Sequence, residues 1–291
     1  MDQRKKRVLI TGADGQLGSE LRDIWLSDAL FEVIFVNRET LPLDELDRIY
    51  ERVLSHKADY IIHAAAYTAV DKAESEPKQA DLINHLASVE IAKAARDGNA
   101  KLIFISTDYV FQGDSAIPLS EDHPTNPINI YGQSKLAAEL GIQAILPQAI
   151  IIRTSWVYSI YGKNFVKTMI QLMKTKDEIQ VVADQEGSPT YALDLAKALK
   201  NIILSGMWVG GIYHYSNEGK TTWYKFAEEI RRLANLSCCI HPVSTSEFPK
   251  AAKRPPFSLL SKEKIKHTFK LAIPDWQNSL KEMLLKLENH P

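Results

Sequence analysis

Residues 7–18 have the sequence Arg7-Val8-Leu9-Ile10-Thr11-Gly12-Ala13-Asp14-Gly15-Gln16-Leu17-Gly18. The run from Arg7 to Thr11 is short and apolar, which is typical of a buried strand. The glycines that follow have the spacing G-x-x-G-x-x-G, and a helical pattern covers Glu20 to Leu26. Glycine permits a tight turn and a close backbone approach, and the free N–H groups of a helix N-terminus bind anions. The segment therefore predicts a phosphate-binding turn between a first strand and a first helix.

Short apolar runs alternate with helix-length segments through the rest of the first half. Further strands are predicted over Glu32 to Val36, Tyr60 to Ala64, Leu102 to Ser106 and Ile150 to Thr154. In such βαβ alternation each helix crosses over between parallel strands and covers one face of the sheet. The predicted fold class is α/β, with a doubly wound, Rossmann-type parallel sheet.

The alternation becomes less regular beyond Trp156. Helical patterns cover residues near 163–175, 190–205, 221–235 and 275–289, and loops with Pro and Gly separate them. We therefore predict a dinucleotide-binding domain over residues 1–155 and a smaller, mainly substrate-binding lobe over residues 156–291. Some later segments are expected to return to the main sheet.

Composition and charge exclude several classes of protein. Apolar residues make up 45% and charged residues 24%, and the formal net charge is -1. Binders of nucleic acid or of membrane surfaces usually carry a basic excess, so neither partner is expected. The basic N-terminal segment leads directly into Val8-Leu9-Ile10, which is too short for a secretory signal. We expect a cytoplasmic protein in which the adjacent Cys238 and Cys239 are reduced.

The residues after the second predicted strand bear on the choice of cofactor. An acidic residue there would accept a hydrogen bond from the ribose 2′-hydroxyl of NAD, whereas arginine can pair with the 2′-phosphate of NADP. This chain has Asn37-Arg38. The pair favours NADPH, with NADH left open, although Arg38 could also be a solvated loop residue.

A tyrosine and a lysine are placed for acid–base chemistry. Tyr131 and Lys135 stand four residues apart at the start of a helical pattern, so they share one face. We expect the ammonium to lower the tyrosine pKa from its usual value of about 10, which favours proton transfer. Such a pair also occurs by chance on exposed helices. Thr107, however, ends the fourth strand at the ligand-binding edge of the sheet, where its hydroxyl can contact a substrate carbonyl.

In five stretches the chain resembles the extended short-chain dehydrogenases, and more narrowly the dTDP-4-dehydrorhamnose reductase family. They are Gly12 to Gly18, His63 to Glu74, Ser106 to Phe111, Tyr131 to Lys135 and Arg153 to Tyr158, with Asp184 to Thr190 and Arg254-Pro255 further on. The resemblance covers nearly the whole chain. It implies NADPH-dependent reduction of the C4 keto group of dTDP-4-dehydro-L-rhamnose to give dTDP-L-rhamnose.

The resemblance also implies roles for particular residues. Thr107, Tyr131 and Lys135 would be catalytic, with Tyr131 giving a proton to the C4 oxygen and Lys135 also holding the nicotinamide ribose. The expected cofactor-binding residues are Gly12, Gly15, Gln16, Leu17, Asn37, Arg38, Asp44, Ala64, Ala65, Ala66, Tyr67, Tyr131 and Lys135. The expected residues for the dTDP-sugar are Val70, Asp108, Tyr109, Trp156 and Arg254. The alanines and Trp156 could instead be packing residues, and Arg254 could be a solvated charge.

The chain departs from the family at a metal site. Some members bind magnesium through carboxylates where two subunits meet, and Glu20 matches one of those carboxylates. Leu193 and Lys286 stand near where two others would be expected, so we predict no metal and leave the oligomeric state open. The histidines have no ligand-like spacing, and His63 is expected to be a satisfied core residue.

Two other functions stay open at this point. The first is reduction or epimerisation of another nucleotide 4-keto-6-deoxy sugar. Related dehydratases carry an Asp-Glu pair after the threonine, whereas this chain has Asp108-Tyr109, which favours net reduction.

The second open function is that of a non-catalytic regulatory subunit, because the reductase fold is also used by a binding partner of methionine adenosyltransferase. The presence of Thr107, Tyr131 and Lys135 favours an enzyme.

Overall fold

The computed structural model describes residues 4–25, 28 and 30–290. Its strands are β1 (Lys6–Thr11), β2 (Phe31–Val36), β3 (Tyr60–His63), β4 (Lys101–Thr107), β5 (Ile150–Thr154), β6 (Val157–Tyr158), β7 (Glu178–Val182), β8 (Glu186–Gly187), β9 (Thr190–Tyr191), β10 (Gly211–Tyr215), β11 (Thr221–Thr222) and β12 (Cys239–Val243). Its helices are α1 (Gln16–Trp25), α2 (Leu46–Ser55), α3 (Val70–Ala73), α4 (Pro77–Asp81), α5 (Ala87–Asp97), α6 (Ile130–Ile145), α7 (Phe165–Thr175), α8 (Ala192–Leu204), α9 (Trp223–Leu233), α10 (Glu263–Phe269) and α11 (Trp276–Glu288). A π-helical turn covers Leu82–Leu86 and a 3₁₀ turn covers Asp108–Val110.

The main sheet has six parallel strands in the order β10-β5-β4-β3-β1-β2. The second strand, β2, lies on one side of β1, and the later strands lie on the other side, beginning with β3. Thr11 pairs with His63 at the carboxyl ends of β1 and β3, where the strand order reverses. Ligands of open α/β sheets bind at such a switch point. The predicted doubly wound α/β fold is confirmed.

Apolar residues cover both faces of this sheet. Val8 and Ile10 belong to a core cluster with residues of α1 and α8, whereas Leu9 belongs to a cluster with residues of α2, α5 and α6. Successive side chains of a strand point to opposite faces, so a strand buried on both faces needs an unbroken apolar run. This explains why the first half of the sequence predicts its strands well.

The ends of the five predicted strands, β1 to β5, differ from the predictions by a residue or less, and the later strands were not individually predicted. Ile150–Thr154 matches the prediction, whereas β3 ends at His63 because the next residues leave the sheet and the Ala65 N–H donates to Thr11 Oγ1 at 3.2 Å. The first helix begins at Gln16 instead of Glu20. The turn before it is short because Gly12 has a φ of 73°, which glycine adopts without strain. Leu26, the predicted end of that helix, and residues 1–3 of the basic N-terminal segment lie outside the described residues.

The C-terminal half forms a third apolar cluster from residues of α7, α9 and α11 and adds short strand pairs β6–β9, β8–β11 and β7–β12. Residues 211–215 nevertheless return to the main sheet as β10, which pairs with β5. The division into a dinucleotide-binding domain (residues 1–155) and a substrate-binding lobe (residues 156–291) therefore stays a prediction. No helix in the described ranges is long and apolar enough to cross a membrane.

Candidate functional site

A cleft of about 1470 Å³ lies at the carboxyl edge of the main sheet and extends toward the C-terminal half. It brings together every residue that the sequence nominated. These are Gly12, Gly15, Gln16, Leu17, Asn37, Arg38, Asp44, Ala64, Ala65, Ala66, Tyr67, Val70, Thr107, Asp108, Tyr109, Tyr131, Lys135, Trp156 and Arg254. Their individual roles stay predictions. Lys72, Lys163, Trp223 and others line the same cleft without having been nominated.

The glycine turn leaves space for an anion beside the start of α1. Gly12 has φ 73°, and a Cβ there would lie 2.8 Å from the backbone N of Ala65. A Cβ on Gly18 would overlap the carbonyl oxygen of Gly12, so α1 can approach the turn only with glycine at this position. The first N–H groups of a helix have no intrahelical acceptor. The turn and α1 therefore fit the pyrophosphate of a dinucleotide.

The loop after β2 is organised by Asn37. Its Oδ1 accepts hydrogen bonds from the backbone N–H groups of Glu39 and Thr40, both at 3.1 Å, and its Nδ2 donates to Asp14 Oδ2 at 2.8 Å. Arg38 is exposed, lines the cleft and forms no ion pair with any residue that the structure describes. Its guanidinium is therefore available to a phosphate. Asp14 is a cleft residue that the sequence reasoning missed.

Asn84 connects Tyr67, in the wall of the cleft, to α6, the helix that carries Tyr131 and Lys135. Its Oδ1 accepts from the Tyr67 N–H at 2.7 Å, and its Nδ2 donates to Ser134 Oγ at 2.9 Å. Ser134 Oγ in turn donates to the carbonyl oxygen of Tyr131 at 2.8 Å. Asn84 lies in the π-helical turn, and such turns often occur at functional sites. No local pattern in the sequence marks this residue.

Tyr131, which is partly buried, and Lys135, which is buried, lie on one face of α6, as their spacing predicts. Burial raises the pKa of Tyr131 to about 12, and a hydrogen bond with Thr107 opposes that rise. The expectation that Lys135 would lower this pKa is wrong for the structure. The Lys135 Nζ instead donates to the carbonyl oxygen of Ile105 at 2.7 Å and lies 3.9 Å from the centre of the Phe104 ring. The phenol is therefore protonated near neutral pH, which is the form that a proton donor needs.

A buried ion pair lies one helical turn beyond Lys135. Arg153 on β5 and Glu139 on α6 approach to 2.7 Å, and Ser106 Oγ donates to the same carboxylate at 2.5 Å. Burial lowers the pKa of Lys135 to about 7, and the charge of Glu139 opposes that change. The Glu139 carboxylate thus joins α6 to β4 and β5, and its negative charge favours the protonated form of Lys135.

The substrate side of the cleft contains a second ion pair. Arg254 donates to Asp71 through two nitrogens, at 2.7 and 3.0 Å, so it is not a solvated charge. Asp71 is a further residue that the sequence reasoning missed. Thr107 Oγ1 donates to Asp108 Oδ1 at 3.1 Å, and burial raises the pKa of Asp108 to about 7. The Tyr109 and Tyr131 rings meet edge to face, 5.8 Å apart.

The residues considered for a metal do not form a carboxylate cluster. Glu20 is buried and accepts a hydrogen bond from Ser159 Oγ at 2.6 Å, while Leu193 packs in the third apolar cluster. Lys286 forms an ion pair with Glu282 at 3.3 Å. Among the described residues, no group of three or more His, Cys, Asp or Glu side chains could hold a metal ion.

His63 is a satisfied core residue, as predicted. Its ring nitrogens lie 2.7 Å from Thr11 Oγ1 and 3.0 Å from Ser88 Oγ. Burial lowers its pKa to about 3, so the ring is neutral. The histidine therefore ties the ends of β1 and β3 to α5, beneath the glycine turn.

Comparison with known proteins supports the resemblance over nearly the full length. The family described as RmlD substrate binding domain matches residues 6–289. The dTDP-4-dehydrorhamnose reductase of Escherichia coli (strain K12) is 40% identical, with 96% of this chain and 97% of that protein covered. The enzyme of the same name from Aggregatibacter actinomycetemcomitans is 38% identical, with 95% and 98% covered.

A solved structure agrees with the same assignment. The dTDP-4-dehydrorhamnose reductase of Bacillus anthracis, crystallised in complex with NADP, superposes with a TM-score of 0.93 at 41% identity. The match covers 97% of this chain and 100% of that one. From the match to its family, the identities of its relatives and the shared structure, this chain belongs to the dTDP-4-dehydrorhamnose reductase family.

Proposed function

We propose that this protein reduces the C4 keto group of dTDP-4-dehydro-L-rhamnose with NADPH and forms dTDP-L-rhamnose. The observation that carries the proposal is the placement of Thr107, Tyr131 and Lys135 in the same cleft as the glycine turn. A bound dinucleotide at the turn and a keto sugar near Tyr131 would then share one cleft. NADH stays open as a second cofactor.

The cofactor, when bound, supplies the hydride for the C4 carbon. The turn from Gly12 to Gly18 would hold its pyrophosphate, and Arg38 would pair with its 2′-phosphate. Ala64, Ala65 and Ala66 are small enough to leave a flat wall for the dinucleotide. The remaining cofactor contacts proposed are Gln16, Leu17, Asn37, Asp44 and Tyr67.

The proton comes from the protein. The Tyr131 hydroxyl donates its proton to the C4 oxygen, and the Thr107 hydroxyl orients that oxygen by a hydrogen bond. Hydride and proton together convert the ketone to an alcohol. The Lys135 ammonium binds the nicotinamide ribose. Its fixed contact with Ile105 keeps it at the site before the substrate arrives.

The nucleotide sugar is assigned to the other end of the cleft. The guanidinium of Arg254, held by Asp71, can bind a diphosphate oxygen. Asp108 and Tyr109 lie beside the reacting centre, and Val70 and Trp156 line the wall where the sugar would pack. A cytoplasmic location is part of this proposal, since Cys238 and Cys239 are both free thiols.

The test is NADPH consumption by the purified protein with dTDP-4-dehydro-L-rhamnose, made in place from its precursor, and identification of the product by mass and chromatography. We expect dTDP-L-rhamnose. Tyr131→Phe should reduce kcat by about 10²- to 10⁴-fold, because the proton donor is lost. Its NADPH affinity, measured by fluorescence titration, should stay nearly unchanged.

Two results would change the assignment. Near-normal turnover by Tyr131→Phe would contradict the role of the hydroxyl. If the unaltered protein binds NADPH but does not turn over this substrate, other nucleotide 4-keto-6-deoxy sugars become the next substrates to assay. Failure with those sugars as well would favour the regulatory-subunit alternative.

A further inference from the structure

Trp156 has a backbone conformation that is costly for a bulky residue. Its φ is 48°, in the left-handed region, where a large side chain is a true outlier. Such conformations persist only where the surroundings hold them, and they are concentrated at functional sites. The Trp156 carbonyl oxygen accepts a hydrogen bond from the Thr190 N–H at 3.2 Å. This hydrogen bond joins Trp156 to β9, whereas the indole is held by other contacts.

The indole of Trp156 stacks on that of Trp223. The ring centres are 3.8 Å apart and the planes differ by 15°. Trp223 is the first residue of α9, and Thr222 caps that helix by accepting from the Lys225 N–H at 3.2 Å. The ring of Phe165 lies 4.6 Å from Trp223. Trp223 is therefore held by its own helix start and by a second aromatic ring.

Gly187 provides another close contact for the Trp156 indole. A Cβ at Gly187 would lie 2.9 Å from Cζ2 and 3.0 Å from Cε2 of Trp156, so only glycine lets the indole lie this close to the backbone. Gly187 pairs with Thr221 in the two-stranded β8–β11 ribbon, and Trp223 follows that ribbon directly. The β8–β11 ribbon and the start of α9 thus provide both contacts of the Trp156 indole, those with Gly187 and with Trp223.

We propose that Trp223 is a positioning residue, which together with Gly187 holds Trp156 in its left-handed conformation so that the indole forms the wall for the sugar nucleotide. The proposal rests on the proposed function, which assigns Trp156 to substrate binding. Trp223 contacts Trp156 and Phe165, and none of these three residues is among those proposed to bind the cofactor. Loss of the stacking partner should therefore weaken substrate binding and leave cofactor binding intact.

The first experiment compares Trp223→Ala with Trp223→Phe by steady-state kinetics. For Trp223→Ala we expect the KM for the keto sugar to rise by about 2- to 10-fold, because an aromatic pair contributes about 0.5–1.5 kcal/mol. The Kd of Trp223→Ala for NADPH should differ from that of the unaltered enzyme by less than about twofold. Trp223→Phe keeps a ring against Trp156 and should recover most of the loss. An unchanged KM in Trp223→Ala, or an equal loss of NADPH affinity, would overturn the proposal.

A second variant perturbs the other contact. Gly187→Ala places a methyl group against the indole of Trp156 and the hydroxyl of Ser258, and should raise the same KM, with the Kd for NADPH again unchanged. Trp208→Phe is the matched control, because Trp208 packs near Tyr60 and Lys101 and is not among the cleft residues. The control should behave like the unaltered enzyme. A normal KM in Gly187→Ala would count against the proposed contact.

A crystal structure of Trp223→Ala separates this inference from the proposed function. We expect the φ of Trp156 to relax to a negative value and the indole to leave the wall of the cleft. This readout does not need turnover, so it holds even if the keto sugar proves to be the wrong substrate. Retention of the left-handed Trp156 in that structure would refute the positioning role.

Discussion

Lys135 and Asp108 both line the cleft, and their charges change in the same pH range. Burial lowers the pKa of Lys135 to about 7 and raises the pKa of Asp108 to about 7. Two other titratable groups near Lys135 do not change charge there, because the pKa of His63 is about 3 and that of Tyr131 is about 12. The charge state of the site near neutral pH therefore depends on Lys135 and Asp108.

This pattern predicts a loss of activity on the alkaline side. As pH rises through about 7, Lys135 loses the charge with which it is proposed to hold the nicotinamide ribose, so kcat/KM for NADPH should fall. Deprotonation of Asp108 could produce a fall in the same range, and Asp108→Asn removes that possibility. We expect the alkaline fall to persist in a pH–rate profile of Asp108→Asn. Its disappearance would assign the titration to Asp108.

Arg38 is predicted to determine the preference for NADPH. A charge-assisted hydrogen bond to a phosphate is worth about 1.5–3 kcal/mol, so Arg38→Ala should weaken NADPH roughly 10- to 100-fold and NADH much less. Fluorescence titration of both cofactors measures the ratio. Arg48→Ala serves as a control, since Arg48 is exposed and pairs with Glu45 at 2.9 Å. Equal weakening of both cofactors by Arg38→Ala would remove the argument for NADPH.

At the scale of elements, the β1–α1 turn depends on the absence of side chains. Gly12 and Gly206 both have positive φ, 73° and 67°, but only Gly12 has backbone atoms where a Cβ would stand. Alanine has the same conformational strain at either position. The difference in free energy of unfolding between the two variants therefore measures the clash with the Ala64–Ala65 backbone.

We therefore predict that Gly12→Ala destabilises the protein by about 1–3 kcal/mol more than Gly206→Ala does. Urea denaturation gives the two free energies of unfolding. Gly12→Ala should also lose NADPH affinity, because the turn is displaced from the start of α1, whereas Gly206→Ala should keep it. Equal stabilities and equal affinities would show that the turn tolerates a side chain.

Elements with a local signature were predicted from the sequence more completely than those without one. The β5 strand was predicted to the residue, and the Tyr131–Lys135 spacing placed both side chains on one helix face. Asn84 was missed because a π-helical turn has no sequence period that marks it. The pKa of Tyr131 was predicted in the wrong direction, because spacing does not reveal that Ile105 holds the Lys135 ammonium.

At the scale of the whole molecule, the two halves of the chain share one core. Leu199 of α8 and Tyr213 and Tyr215 of β10 belong to the same apolar cluster as Val8 and Ile10 of β1. The strand β10 also covers the edge of β5. The dinucleotide-binding half therefore depends on residues from the C-terminal half for its packing.

A fragment of residues 1–155 should consequently fail to fold. It would expose the apolar face that α8 covers and the unpaired edge of β5, both of which favour aggregation. Urea denaturation followed by circular dichroism should show no cooperative transition, with the full-length chain as the control. A fragment that unfolds cooperatively and binds NADPH would establish residues 1–155 as an independent domain.

The sequence alone was enough to identify features whose determinants lie close together along the chain. The glycine turn, the alternating strands and helices, and the Tyr131–Lys135 pair each depend on a local spacing, and local spacing dictates local geometry. Other features required the folded chain. The Arg254–Asp71 ion pair, the Trp156–Trp223 stack and the pairing of β10 with β5 each join residues far apart in sequence. No local period constrains such contacts, because they are set by which packing of the whole chain buries the most apolar surface and satisfies its buried polar groups.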